Sequence, residues 1–436
     1  MTEMKDAPTA LANFLSCIER DTQVLADFQA LCDCGGRLAG SCGEEQAIQV
    51  LISTLSRIGR GKLEIKRNKH VLWETDEFSL THIESGTELA ATPLLGTAPT
   101  PADGIVREIV DVGLGRPKDF DRLRHLLPGR IALVRHEYPF MSDHVHRNTK
   151  SDMAEKAGAC GFLIAFQESG VGPISGSSSG KASEGIPSFG ISAEAAALLA
   201  QSETGFASVR MLCLGRSVER NLPTVILTLA GESEEMVVVS AHIDGHPLGE
   251  SAIDNASGLA GIVALARAVA SDDIRLRRTV RFCAFSAEEW DLGGSIRWLD
   301  SLSQRELDNI VLNINLDAIA GDPVLTALTS DFEILPAFLT EAANYADKDL
   351  QIFEPTKSNS DHVNFAERGI PAFRLLAGFE RPSSALRFLL TGKDRRDLVT
   401  AKELNDAATI AGAVLFRAAN ASREEMAKLK ARRRGD

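Results

Sequence analysis

Residues 236–258 read MVVVSAHIDGHPLGESAIDNASG, and this stretch decides the fold. Its opening run, Met236 to Val239, is apolar without polar alternation, as a strand buried on both faces requires. The run ends at His242 and Asp244, a loop rich in Gly and Pro follows, and Asp254 comes just before an apolar-periodic helix that Ser257 and Gly258 open. Strand, loop and helix in this order are the unit of an α/β sheet, whose carboxyl edge is the usual place for active residues. Two later strands end in the same way. TVRFCAFSAEE (279–289) delivers Glu288 and Glu289, and IVLNINLDAIAG (310–321) delivers Asp317. With further strands expected at 224–229 and 372–376, the predicted fold is α/β, with a mixed, mostly parallel central sheet flanked by helices.

Outward from this core the texture changes. The first 60 residues have helical spacing at Leu11, Phe14, Leu15, Ile18, Val24 and Leu25, break at Gly35 and Gly36, and resume after Ser41 and Glu44 in capping-box spacing. Between about 93 and 216, short β-like runs (105–112, 131–134, 162–165) alternate with turns and one helical stretch at 152–159. This reads as an inserted β-rich domain, giving three segments: 1–92, 93–216 and 217–436. The most flexible part is expected at 175–183, SGSSSGKAS. A chain of 436 residues is long enough for two cores.

Composition narrows the function classes. A net charge of −13 disfavours a nucleic-acid partner, because the only basic cluster is the terminal 423–436 segment. No run reaches the roughly 20 apolar residues that cross a bilayer, and the amino terminus lacks the basic stretch of a secretory signal, so a soluble, cytoplasmic protein is expected. Seven cysteines, odd in number and unpaired in spacing, do not form a disulfide framework. No GxSxG occurs at a strand-to-helix turn, which disfavours a serine hydrolase.

Acidic residues at strand ends are usually solvated or capping, and any one of these positions alone carries little. Together, His242, Asp254, the Glu288–Glu289 pair and Asp317 on consecutive connections make an N/O donor set suited to zinc. Adjacent carboxylates point different ways, so one can bind metal while the other acts on water. The implied chemistry is metal-dependent hydrolysis of a peptide or amide.

These motifs resemble those of the M28 zinc peptidases, a family of aminopeptidases and glutamate carboxypeptidase-like enzymes. The resemblance rests on AHID (241–244), AIDNASG (252–258), AEEWDLGGS (287–295) and NLDAIAG (315–321), and extends to KSNSDHVNFAERGIPAF (357–373) and GGRLAGSCGEEQA (35–47). KSDMAEKAGACGFLIAF (150–166) is similar to a protease-associated domain. The resemblance implies that His242 and Asp317 bind one zinc ion, Glu289 another, and that Asp254 bridges them. Asp244 would orient His242, and Glu288 would act as general base.

One departure concerns the fifth ligand, a histidine in the family. The corresponding segment here is FLLTGKDRRDLV (388–399), which places Leu390 at that position. The expectation is therefore a weakened Glu289 site, rescued at best by His362, and one or two ions per chain; the other candidate nitrogens are His246, which either reaches the cleft or points outward beside Pro247, and a histidine of the insert or of a partner subunit. His144 and His146 are expected at the surface, and Arg374 either meets a substrate carboxylate, lies at the surface or pairs with Glu380. The function expected is that of an aminopeptidase on peptides or small amides, with homo-oligomerisation open. The alternatives are a carboxypeptidase or dipeptidase, an N-acyl amino acid amidohydrolase, or a non-catalytic descendant that binds ligand. Retention of Glu288 favours an enzyme.

Overall fold

The computed structural model describes residues 7–178, 185–200 and 205–432, so part of the 175–183 segment and the last four residues lie outside it. Its strands are β1 (Lys62–His82), β2 (Ala91–Pro93), β3 (Ile105–Asp111), β4 (Ile131–Arg135), β5 (Gly161–Ala165), β6 (Ser188–Ile191) and β7 (Ser208–Leu229). There follow β8 (Ser233–His242), β9 (Arg278–Phe285), β10 (Ile310–Leu316), β11 (Leu325–Thr329), β12 (Gln351–Phe353) and β13 (Ala372–Ala377). Hydrogen bonds join them in the order β12-β11-β13-β10-β8-β9-β7-β3-β4-β5-β6-β2, with β1 on β7. The centre of the first half, β13-β10-β8-β9, is parallel throughout. So is β3-β4-β5-β6 in the other half.

The expected strands 224–229, 237–240, 280–285, 312–316 and 372–376 all fall within observed ones. Their side chains are buried along almost their whole length, which is why they read as apolar runs. The long ribbon of β1 on β7 was not foreseen. β1 is mostly polar, and although its burial alternates from Ile65 to Leu72, the apolar Ile65 and Val71 are exposed while Lys66, Asn68 and His70 take the more buried positions, so no apolar alternation signals it. Its amino end pairs with the part of β7 that lies beside β9, and its carboxyl end with the part beside β3. The ribbon thus runs continuously from one half of the sheet to the other.

Helices Ala7–Glu19, Val24–Cys32 and Ala401–Asn420 pack with Ser257–Val269, while Gly293–Asp300 and His362–Glu367 pack on each other. Residues 252–269 are apolar enough to cross a membrane by composition, a feature the sequence reading passed over, but 89% of that window is buried inside the fold. Ser41 caps Cys42–Arg57 as expected, accepting the Glu44 N–H at 3.3 Å. Glu44 does not return the bond to Ser41. Its carboxylate accepts the Gly40 N–H at 2.7 Å and the Ser286 hydroxyl, which ties this helix to the β9 end.

Candidate metal centre

Register brings the site together. In the parallel pairs β8/β9 and β8/β10, His242 lies opposite Phe285 and Ser240 opposite Asn315, so His242 and Asp317 are level and Glu288 follows three residues after Phe285. His242 Nε2 is 3.0 Å from Asp254 Oδ1 and 3.5 Å from Asp317 Oδ1. Two sets of donor atoms lie mutually within 4.8 Å: His242, Glu288 and Asp317, and His242, Asp254 and Glu289. Five of the six residues expected around the metals, counting the base, therefore converge. They line a cavity of about 430 Å³.

His362 is elsewhere. It is fully buried at the start of its helix, belongs to neither donor set and does not line the cavity. Both its ring nitrogens lack a hydrogen-bond partner, and burial together with the nearby Arg374 charge depresses its pKa to about 3.

The surroundings hold each donor. Asp317 is reached through a buried chain: Asn313 Nδ2 donates to the Ser240 hydroxyl (2.9 Å), Ser240 donates to Asn315 Oδ1 (2.8 Å), and Asn315 Nδ2 donates to the Ser360 hydroxyl (2.7 Å). Ser360 in turn donates to Asp317 Oδ2. Arg374, neither at the surface nor paired with Glu380, is buried with its guanidinium 3.0 Å from Asp317 Oδ1 and donates from Nε to the Asp317 carbonyl. Burial opposes ionisation of Asp317, but Arg374 keeps its carboxyl below the usual range.

Asp244 departs from its expected part. Its carboxylate stands 3.8 Å from His242 Nδ1, and it is the Asp244 main-chain oxygen that faces this nitrogen, at 2.9 Å. The carboxylate instead accepts the backbone N–H groups of Glu288 and Glu289.

Several contributors had no clear signal in the sequence. Arg37, in the GGR segment, is fully buried and donates to the carbonyls of Ile243 (2.9 Å), Glu250 (2.8 Å) and Ser251 (2.8 Å), clamping the loop after β8. Asp394 accepts the Ile253 and Asp254 N–H groups. His144, His146 and Arg147 form part of the cavity wall, where the two histidines are half-buried, as an insert that approaches the site places them. Arg147 is anchored by donation from Nε to the Ser177 carbonyl at 2.8 Å.

The donor set fits a divalent cation. Asp254, Glu288, Glu289 and Asp317 concentrate negative charge around one imidazole, and their fields raise the His242 pKa well above normal although its burial acts the other way. Asp254 Oδ1, Glu289 Oε1 and Asp317 Oδ1 are buried without an aligned hydrogen bond, each in ion-pair range of a basic group: His242, His246 and Arg374. Oxygens held this way keep lone pairs free for a cation. Nitrogen and carboxylate donors without thiolates suit zinc.

Comparison with known proteins agrees with this class of site. Residues 224–413 match Peptidase family M28, and residues 92–199 match the PA domain. Aminopeptidase YwaD of Bacillus subtilis is 25% identical over 401 residues, covering 88% of this chain and 81% of that protein. Leucine aminopeptidase 2 of Trichophyton rubrum is 27% identical over 360 residues, covering 79% and 69%. The fold is shared with a zinc aminopeptidase from Bacillus subtilis (TM-score 0.74, 24% identity, 93% and 97% covered). It is shared also with a peptidase M28 precursor from Shewanella amazonensis (TM-score 0.78, 19% identity, 95% and 97% covered). Fold and site thus define a metallopeptidase. Over residues 224–413 the chain is similar to peptidase family M28, and over residues 92–199 to the PA domain.

Proposed function

We propose that the protein is an aminopeptidase in which His242 and Asp317 would hold one zinc ion and Glu289 a second, with Asp254 contributing to both. When bound, the metal supplies Lewis acidity that polarises the scissile carbonyl and brings the pKa of water toward neutrality. Glu288 takes a proton from the attacking water on a carboxylate oxygen and passes it to the leaving amine. Asp244 holds the Glu288–Glu289 backbone in place, and Arg374 keeps Asp317 ionised. Besides the carboxylates assigned to zinc, Glu288 and Asp291 line the cavity, and their negative charge suits a substrate with a free α-ammonium group. The observation that carries this reading is the convergence of five donor residues, three of which, Asp254, Glu289 and Asp317, present a buried oxygen with no aligned hydrogen bond.

A second reading, a dipeptidase or amidohydrolase acting on substrates with a free carboxylate, draws on Arg147 and Lys357 in the cavity wall. Aminoacyl anilides, dipeptides and N-acyl amino acids, each assayed after chelation and after addition of zinc, cobalt or manganese, separate the two. Turnover of aminoacyl anilides supports the first reading. Turnover confined to N-acyl amino acids overturns it.

A further inference from the structure

The position where the family's fifth ligand is expected carries Leu390, which lines the cavity with a hydrocarbon side chain and adopts φ 69°. From this side Glu289 has no nitrogen companion. The loop after β8 presents one. His246 Nε2 lies 2.6 Å from Glu289 Oε1, and both residues are almost fully buried. At that separation a hydrogen bond would be expected, yet the pair is misaligned for one, and Nε2 and Oε1 both remain without a hydrogen-bond partner. The contact is an ion pair when the ring is protonated, and with a neutral ring it sets two buried lone-pair atoms side by side, as ligands of a common cation require. Glu289 belongs to the donor set of His242 and Asp254, and His246 stands beside it, itself outside that set and outside the cavity lining.

The direction of the His246 ring is imposed by the fold. Arg37 binds the carbonyls of Ile243, Glu250 and Ser251 on either side of it, and the His246 N–H donates to the Ser251 hydroxyl at 3.1 Å. Gly36 packs beneath its carbonyl, where a Cβ would come within 2.7 Å of the His246 oxygen. On this backbone the ring lies inside, 2% exposed, and does not point outward beside Pro247.

We infer that His246 supplies, from the loop after β8, the nitrogen ligand that Leu390 cannot, so that the ion held by Glu289 and Asp254 is bound tightly and the chain carries two zinc ions. The plainer alternative is that His246 only orients Glu289 through a polar contact. This inference rests on the metal-centre reading above, and the experiment keeps the two apart.

Zinc stoichiometry and affinity are measured on the full chain by elemental analysis and by competition with a chromogenic chelator. The variants are His246→Ala, His246→Gln, His242→Ala, His362→Ala and the double variant His246→Ala/Leu390→His, with folding followed by circular dichroism. The wild type is expected to hold two ions. Loss of His246 should weaken the second by about 1,000-fold, beyond the roughly 10- to 100-fold typical of removing an outer contact to a ligand. His246→Gln, which can still contact Glu289 but offers no imidazole, should behave as Ala does. His362→Ala should keep both ions, and Leu390→His in the Ala background should restore the second. Zinc K-edge absorption of the wild type, which needs no variant, should show on average one imidazole per zinc.

Two ions retained with unchanged affinity in His246→Ala, or near-normal affinity in His246→Gln, would overturn the role of His246 while leaving the metal centre standing. So would an absorption spectrum with half an imidazole per zinc. A wild type that binds no zinc, or a His242→Ala variant that binds it normally, would instead overturn the metal-centre reading itself.

Discussion

Asp244 accepts the backbone N–H of Glu289 at 3.1 Å through one carboxylate oxygen, and the other oxygen accepts that of Glu288 at 3.0 Å. One buried carboxylate on β8's loop thus fixes the direction of both glutamates at the end of β9. An amide cannot do this, because its nitrogen would face an N–H. Asp244→Asn is expected to lower zinc affinity by roughly 10- to 100-fold, as loss of a group that orients a ligand does. Zinc competition on the folded variant checks this. Affinity equal to that of the wild type would deny Asp244 its positioning part.

Glu288→Gln should lower kcat by about 100- to 10,000-fold, the range over which a general base contributes. Its zinc content should stay as in the wild type. Asp254→Asn should lose zinc and activity together. Elemental analysis beside steady-state kinetics distinguishes the two patterns, and near-normal turnover in Glu288→Gln would remove it from the mechanism.

Glu44 gives a pH dependence of stability. Burial pushes its carboxyl up from an ordinary 4.5 to about 7, against the opposing bonds from Ser286 and Gly40. Because the folded value exceeds the unfolded one, the folded chain holds this proton more tightly between pH 4.5 and 7. Its contribution is therefore complete below the unfolded pKa and is lost as pH rises through the folded one. The loss amounts to about 3 kcal/mol at most. Glu44→Gln, which imitates the protonated form, should gain stability relative to the wild type as pH rises from 4.5 to 8. Urea unfolding at several pH values measures the difference. A constant difference would refute the assignment.

Gly36→Ala should disturb the metal loop from outside it. A Cβ there would meet the carbonyl oxygens of His246 and Pro247 at 2.7 and 2.8 Å, backbone atoms that cannot swing aside. Overpacking of this kind costs roughly 1–3 kcal/mol. The expected result is a lower unfolding midpoint together with weaker zinc binding. Unchanged values for both would show that the loop shifts freely.

The apolar runs ending at His242, Phe285 and Leu316 were legible as strands because burial on both faces leaves its mark in local composition, and the acidic side chains after them announced a metal-capable edge. Ser257–Val269 was legible as a helix for the same reason. The β1/β7 ribbon was not, since in this polar strand the burial pattern does not follow the apolar residues, and the strand owes its existence to a partner more than 100 residues away. The site divides along the same line. Residue type at a strand end is a local property, so His242, Asp254, Glu288, Glu289 and Asp317 could be named from sequence. Where a histidine lands depends on distant groups: Arg37 and Gly36 constrain the loop that sets His246 against Glu289, while His362, in a motif that drew attention to it, is buried away from both donor sets. Arg374 reads in sequence as one charged residue in an apolar strand, and only the pairing of β13 with β10 brings it against Asp317. Local patterning thus determined which side chains were available, and the long-range packing decided which of them meet.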